Sequence, residues 1–402
     1  MKYRGIIVVI YLWANNTLAL ESDFFLTSQW LWQHNTIAAN NDNNPDNRIF
    51  NLAEDRAALE LRPTLESQWQ NLSLTLDPRF VYLAEKNDRN LNDEVSDAGL
   101  RYWQSEWQGQ RFSLTAGQYV QLWGPSVIFS PSNRYHIDNG NTNPNSELLA
   151  REFVEADWFI NEAWDLQIVA NVGDGDQNLE NFKRSGDLRL SWTGEAISTT
   201  WQTTWLNPGW GAGGLIQWTV NGALLLYADG LYAGFNKGNF LDRTSSSNKS
   251  TRVVSGFSYT FNNGSTVAVD YYYNGTGLSA KTGQAQLQQS IDAASQIVEG
   301  DTSPALIDTI RQINNQAFFT LSKRYAVVRL SHNALWDYLS ASFIFISNLE
   351  DRSRQHILSL DSDYGKTLSL FAHINIFKGD SLTEFGRFFD HQVSLGLRWV
   401  MY

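Results

Sequence analysis

Hydrophobic and polar residues alternate along most of this chain. Ala57, Leu59, Leu61, Pro63 and Leu65 interleave with Glu60, Arg62, Thr64 and Glu66. Leu72, Leu74, Leu76, Phe80 and Tyr82 interleave with Ser73, Thr75, Asp77 and Arg79, and Leu188, Leu190 and Trp192 with Asp187, Arg189 and Ser191. The last segment does the same, with Val393, Leu395, Leu397, Trp399 and Met401 against Gln392, Ser394, Gly396 and Arg398. A period of two puts one set on each face of a β-strand. About 18 such segments are legible, near 22–34, 55–68, 71–84, 97–107, 110–122, 150–161, 164–173, 185–193, 196–206, 213–220, 223–234, 251–261, 265–274, 316–331, 335–347, 353–362, 366–377 and 390–402.

The connections alternate between long and tight. Long ones fall at 35–54, 85–96, 123–149, 174–184, 207–212, 235–250, 275–315, 348–352 and 378–389. Tight ones fall at 108–109, 194–195, 221–222, 262–264 and 363–365, several with the Asn-Gly or Gly pairs that hairpin turns require. Long loops on one side and tight turns on the other, with strands of ten or more residues, predict an all-β fold: a transmembrane antiparallel β-barrel of about 18 strands with long extracellular loops. A soluble sandwich or propeller of this size needs no strands so long, nor a leucine-rich outer face along the whole chain. An even strand number returns both chain ends to the tight-turn side and lets the last strand pair with the first, which removes the edges of the sheet.

Composition adds to this picture. The 16 Trp and 16 Tyr suit aromatic girdles at two membrane interfaces, and the absence of Cys means that no disulfide holds the fold. The apolar run Gly5 to Ala14, behind Lys2 and Arg4, is too short for a spanning helix and reads as a signal peptide over residues 1–19. A core helix is the alternative reading of that run, but no amphipathic period accompanies it. Residues 20–402 then form one barrel domain. Removing two cations and no acid takes the formal charge from -12 to -14, which argues against a nucleic-acid partner.

The mature chain resembles Gram-negative outer-membrane β-barrels of the porin kind, through its leader, its loop alternation and its terminal aromatic. Tyr402 stands one residue out of phase with the apolar set, and Met401 takes the in-phase place. The resemblance implies outer-membrane lipids, lipopolysaccharide and the barrel-assembly machinery as partners, and small hydrophilic solutes or saccharides as cargo. Trp123-Gly124-Pro125 followed by Ser130-Pro131-Ser132-Asn133 is also similar to the capsule-anchoring Wzi barrels over about ten residues. A surface-polysaccharide export or anchoring barrel is therefore an alternative to a diffusion porin, and a phospholipase-like outer-membrane enzyme is a second.

The charged residues on the polar phase are the candidate pore lining: Glu60, Arg62, Asp77, Arg79, Arg101, Arg111, Glu155, Asp157, Asp187, Arg189, Asp270, Asp361 and Arg398, with Tyr119 among them. A charge facing lipid at the midplane costs a few kcal/mol, so this phase is strongly constrained. Such charges either set the field that permeating solutes feel or form ion pairs that stiffen the wall. Their signs nearly balance, which argues against steep ion selectivity. The third long connection carries an apolar patch, Val127-Ile128-Phe129, that a solvated loop does not need. In porins the third external loop often narrows the barrel, so by resemblance residues 123–149 form a constriction with Trp123, Arg134, His136, Asp138 and Glu147 near the axis. The alternative is a loop packed on the outer rim.

The connection at 275–315 differs from the others. Leu287, Ile291, Ala294 and Val298 repeat at helical spacing, Ser303-Pro304 reads as a cap with proline at the first helical position, and Leu306, Ile310 and Ile313 give a second stripe. Two short helices follow, packed on each other, on the barrel mouth or on a partner. Other motifs are weak. Gly379-Asp380-Ser381-Leu382 spells the nucleophile block of the GDSL hydrolases without their fold or their downstream histidine motif. Asp174, Asp176, Asn178 and Glu180 lack the Gly and Glu of a calcium loop, and six dispersed His suggest no zinc cluster. The reading is a pore without catalytic residues, metal or cofactor.

Overall fold

In a computed structural model the described residues are 21–402, apart from 39–40, 88–91, 137–138, 142–147, 149, 174–183, 207–208, 235–248, 301–302, 318–321 and 336–337. The expected signal peptide and the acidic stretch at 174–180 lie outside them.

Eighteen antiparallel strands follow one another around a closed sheet. The first nine are β1 (Glu21–Ile37), β2 (Asp55–Trp69), β3 (Leu72–Lys86), β4 (Asn92–Gln108), β5 (Phe112–Tyr119), β6 (Arg151–Phe159), β7 (Trp164–Asn171), β8 (Ser185–Thr193) and β9 (Ile197–Leu206). The others are β10 (Gly209–Thr219), β11 (Leu224–Gly234), β12 (Lys249–Thr260), β13 (Ser265–Asn274), β14 (Arg324–Leu335), β15 (Leu339–Asn348), β16 (Arg354–Tyr364), β17 (Leu368–Lys378) and β18 (Phe389–Met401). The seam is β1 against β18, with Trp30 opposite Leu397 and Gln29 opposite Arg398. Closure leaves no unpaired edge.

At one end of the barrel every connection is short, and asparagines shape several of them. Asn161 Oδ1 accepts from the amides of Ala163 and Trp164, Asn221 Oδ1 from those of Ala223 and Leu224, and Asn263 Oδ1 from that of Ser265. These are the local side-chain bonds that suit Asn to turns. The opposite end carries the long connections, one of which holds two helices, α1 (Ala280–Val298) and α2 (Pro304–Ala317).

The two faces of the sheet differ as the alternation requires. On β18, Leu395, Leu397 and Trp399 are exposed while Ser394 is buried; on β13, Tyr271 and Tyr273 are exposed while Asp270, Tyr272 and Asn274 are buried. The exposed set faces outward all round the barrel. Trp107, Trp158, Trp218 and Trp399 lie on this face within a few residues of the tight turns, where an interfacial girdle belongs. A continuous apolar outer surface of this extent is not compatible with water and fits a bilayer core.

Leu370, outward on β17, and its neighbour Ser369, inward, give a direct test of this phase. Leu370→Arg is expected to cost about 1–3 kcal/mol, between the midplane and interface values for a lipid-facing cation. Ser369→Arg is expected to fold normally. Heat-modifiability on gels and urea unfolding in bilayers distinguish them, and equal stability of the two variants would reverse the phase assigned to β17.

Several boundaries differ from the sequence expectation. β4 begins at Asn92, inside the long connection expected over 85–96. Gly209 to Ala212, expected in a long loop, belong to β10; four glycines within 209–214 read as a breaker, yet both neighbouring strands come close here, and a Cβ on Gly213 would meet the Gly230 carbonyl oxygen at 2.2 Å and one on Gly214 the Thr200 carbonyl oxygen at 2.0 Å. The strand expected over 316–331 starts at Arg324 because α2 runs on to Ala317. The strand expected over 110–122 is shorter, Phe112 to Tyr119, which leaves Arg111 exposed in the turn before β5 instead of on the inner wall.

Candidate functional site: the lumen and its inward loop

The described part of the connection after β5, residues 120–136 with 139–141, turns into the barrel. Val127, Ile128 and Phe129 are buried against Val254, Tyr272, Tyr325, Val327, Ile346 and Ile357, all on the inward phase of β12 to β16. Phe129 stacks on Tyr272 with ring centroids 4.5 Å apart. The apolar patch thus has the buried wall it needs, and the rim-packed alternative does not describe it. Inside the loop, Asn139 and Asn141 donate to the Val127 carbonyl at 2.7 and 2.6 Å, and Asn133 Oδ1 receives the amides of Tyr135 and His136. Gly124 takes φ +104°, and a Cβ there would lie 2.3 Å from Ser130 Oγ, so this turn requires glycine.

Three aspartates on the wall hold the loop. Asp270 on β13 accepts from the Val127 amide at 2.8 Å and from the Tyr227 hydroxyl. Asp229 on β11 accepts from the Ser132 amide at 3.0 Å. Asp187 on β8 receives Arg134 through Nε at 3.1 and 3.0 Å and Nη2 at 2.9 Å, together with the Tyr135 hydroxyl and Gln202 Nε2. Charge-assisted, forked bonds of this kind fix orientation as well as position. A second group steadies the base of the loop. Glu155 accepts from Tyr119, Gln121 and Gln167 at 2.7, 2.8 and 2.6 Å, and Arg189 lies 4.2 Å over the Trp123 ring while donating to Gln167. Trp123 packs edge-on against Tyr135.

The remaining expected wall residues fall into smaller sets. Glu60 receives both Arg62 and Arg79. Arg101 is the extra residue of a bulge opposite Pro78, where the β3–β4 register shifts, and it reaches Asp97. Asp77 is on the inward phase of β3, and Asp157 accepts from Ser113 at 3.1 Å. Asp361 lies 3.9 Å from His373, and Arg398 donates to Gln29 at 3.2 Å. Asp138 and Glu147 lie outside the described residues.

Sequence reasoning missed a second inward segment, 379–388. Glu384 accepts from the Tyr325 hydroxyl and Asn348 at 2.6 and 2.8 Å, its amide donates to Asp351, and Phe385 packs against the Phe129 cluster. Arg387 is buried, and burial pushes its pKa down to about 10. The signal available in the sequence was Phe385, Arg387 and Phe388 in an otherwise polar connection. Ser381 of the Gly-Asp-Ser-Leu stretch donates its hydroxyl to Asp42 at 2.8 Å, which is not the imidazole a serine nucleophile uses. Helices α1 and α2 bury their stripes on each other and on neighbouring loops. Leu287 and Ile313 meet Leu278 and Leu382, while Ala293, Ala294 and Ile310 meet Ile49 and Phe50. Among the described residues no group of acidic or histidine side chains is placed to hold a metal.

His136 sits buried in the inward loop, and its Nε2 has no hydrogen-bond partner among the described residues. Burial, aided by Arg151, pushes its pKa down to about 3. A released loop would carry an imidazole titrating near ~6.5. Docking is therefore at full strength above that pH and weakens as pH falls below it, by up to about 3 kcal/mol at roughly pH 4.5. Conductance is expected to rise on acidification below about pH 5.5 in the parent channel and much less in His136→Leu. An identical acid response in the variant would assign the effect to the carboxylates instead.

No family model and no curated protein matches the chain. OccK11 (OpdR) of Pseudomonas aeruginosa aligns over 95% of this chain and 96% of its own, with a TM-score of 0.56 and 11% identity. OccK5 (OpdH) of the same organism covers 95% and 99%, at 0.54 and 10%, and OccAB3 of Acinetobacter baumannii covers 95% and 99%, at 0.53 and 10%. The fold is shared with the Occ barrels. At such identity the likeness extends to the barrel itself and not to individual side chains. The stretch 123–133 that resembles Wzi barrels belongs to the inward loop, away from the outer surface where a capsule would be met.

Proposed function

We propose that this protein is a Gram-negative outer-membrane porin that lets small hydrophilic solutes diffuse through a narrowed lumen. The observation that carries this reading is the pairing of an apolar outer wall with a polar, charged inner wall on one closed sheet, with a loop folded inside. An 18-strand barrel encloses more space than its own side chains fill. Residues 123–136 take up part of it, and the charges of the wall and loop give the passage its field. The fold shared with the Occ barrels over 95% of the chain supports the assignment. The partners are outer-membrane lipids with lipopolysaccharide outside, the solutes within, and the assembly machinery during insertion. No catalytic role is proposed. Reconstitution in planar bilayers is expected to give discrete conductance steps of weak ion selectivity, and proteoliposomes are expected to swell in small polar solutes. Well-folded protein without steps or swelling would refute the porin reading.

A further inference from the structure

Among the described residues, the inward segments leave part of the lumen open. A cavity of about 360 Å³ remains between the inner faces of β1 and β14 to β18, with Asn141 of the inward loop on its border. That volume is at the small end of specific ligand sites. Four charged side chains line it: Arg329, Arg398, Asp361 and Asp363.

Two positive and two negative groups leave no net charge for an ion of either sign to exploit. Their hydrogen-bonding capacity is largely open. Arg329 makes no ion pair among the described residues, and its Nε is buried without a hydrogen-bond partner. Arg398 holds only the neutral Gln29, Asp361 reaches His373 at the long distance of 3.9 Å, and Asp363 accepts one bond, from Ser369. Ser342 and Ser359 add hydroxyls to the same wall. One flank is apolar and flat. Phe371 lies over Gly396, where a Cβ would be 2.2 Å from its Cζ, and stacks on His373 at 5.4 Å. Gly396 thereby lets the ring lie along the wall instead of standing across the passage.

We infer that this cavity is a binding subsite for a neutral polyhydroxylated solute of one or two sugar rings. The inference rests on the porin reading for its route of access. Each hydroxyl donates and accepts, so adjacent hydroxyls match both the guanidinium fork and the two oxygens of a carboxylate. A carboxylate solute brings its charge into a lining that also holds Asp361 and Asp363, and an ammonium into one that also holds Arg329 and Arg398. A sugar uses all four, and its C–H face covers the Phe371 ring.

The test is current through single reconstituted channels with maltose added, compared with glutamate, lysine and a polyethylene glycol of similar size. Maltose is expected to interrupt the current reversibly, with half-block in the millimolar range and a residence time that polyethylene glycol does not reach. Asp361→Asn, Arg329→Gln and Phe371→Leu are each expected to raise the half-blocking concentration at least fivefold. Block by glutamate or lysine without block by maltose would overturn the inference while leaving the porin intact, as would equal effects of maltose and polyethylene glycol. If the folded barrel carries no current, the porin reading fails, and titration calorimetry of maltose into the detergent-solubilised barrel then decides the site by itself. Heat of binding that Asp361→Asn abolishes sustains it, and absence of heat ends it.

Discussion

Removing residues 126–145 and bridging the gap with a short glycine-serine linker is expected to raise single-channel conductance severalfold while the barrel stays folded. The loop lies inside the lumen, so its removal widens the path that current takes. None of the strand pairings passes through it. Excision frees Asp187, Asp229 and Asp270 from their loop partners, but a widened lumen returns them to water, which carboxylates tolerate. Val254, Tyr272 and Ile346 lose their cover as well, a local cost that a ladder of eighteen strands bears without unfolding. Heat-modifiability and strand circular dichroism establish that the barrel is intact. Unchanged conductance would place the narrowest point elsewhere, at the α1–α2 hairpin.

The barrel was legible because its cause is local. A two-residue period requires no knowledge of partners, and Leu395, Leu397 and Trp399 against Ser394 and Arg398 declare the two faces of β18 without reference to β1 or β17. The inward loop was legible in part, through an apolar patch with no business in water. What the sequence did not disclose is which wall residue holds which loop residue. Val127 meets Asp270 across 143 positions and Ser132 meets Asp229 across 97. Such pairs are set by how the sheet closes, and no local pattern encodes them. Segment 379–388 was missed for the same reason: Glu384 reads as an ordinary loop acid until Tyr325 and Asn348 are brought beside it. Arg111 was assigned by parity alone, which holds only where a strand continues.

The largest single-residue effect is expected at Asp187. Its side chain is fully buried, that of Arg134 is 9% exposed, and Arg189 and Arg151 lie on the same stretch of wall. Within this group Asp187 is the carboxylate that pairs with Arg134. Asp187→Asn keeps an acceptor for the Tyr135 hydroxyl but leaves the guanidinium buried without a counter-charge, which costs roughly 3–5 kcal/mol when one member of a buried pair is removed. The chain can relieve this by releasing the loop, because water in the lumen then solvates Arg134 and no strand has to open. The variant is therefore expected to show higher and noisier conductance, and trypsin is expected to cut after Arg134 in the otherwise resistant barrel. Adding Arg134→Gln to Asp187→Asn removes the stranded charge and keeps neutral hydrogen bonds. The double variant should be closer to the parent than Asp187→Asn alone, and the difference measures the coupling between the two residues. A single variant that resists trypsin and conducts like the parent would show that the Phe129 cluster alone holds the loop, with the ion pair a passive part of the wall.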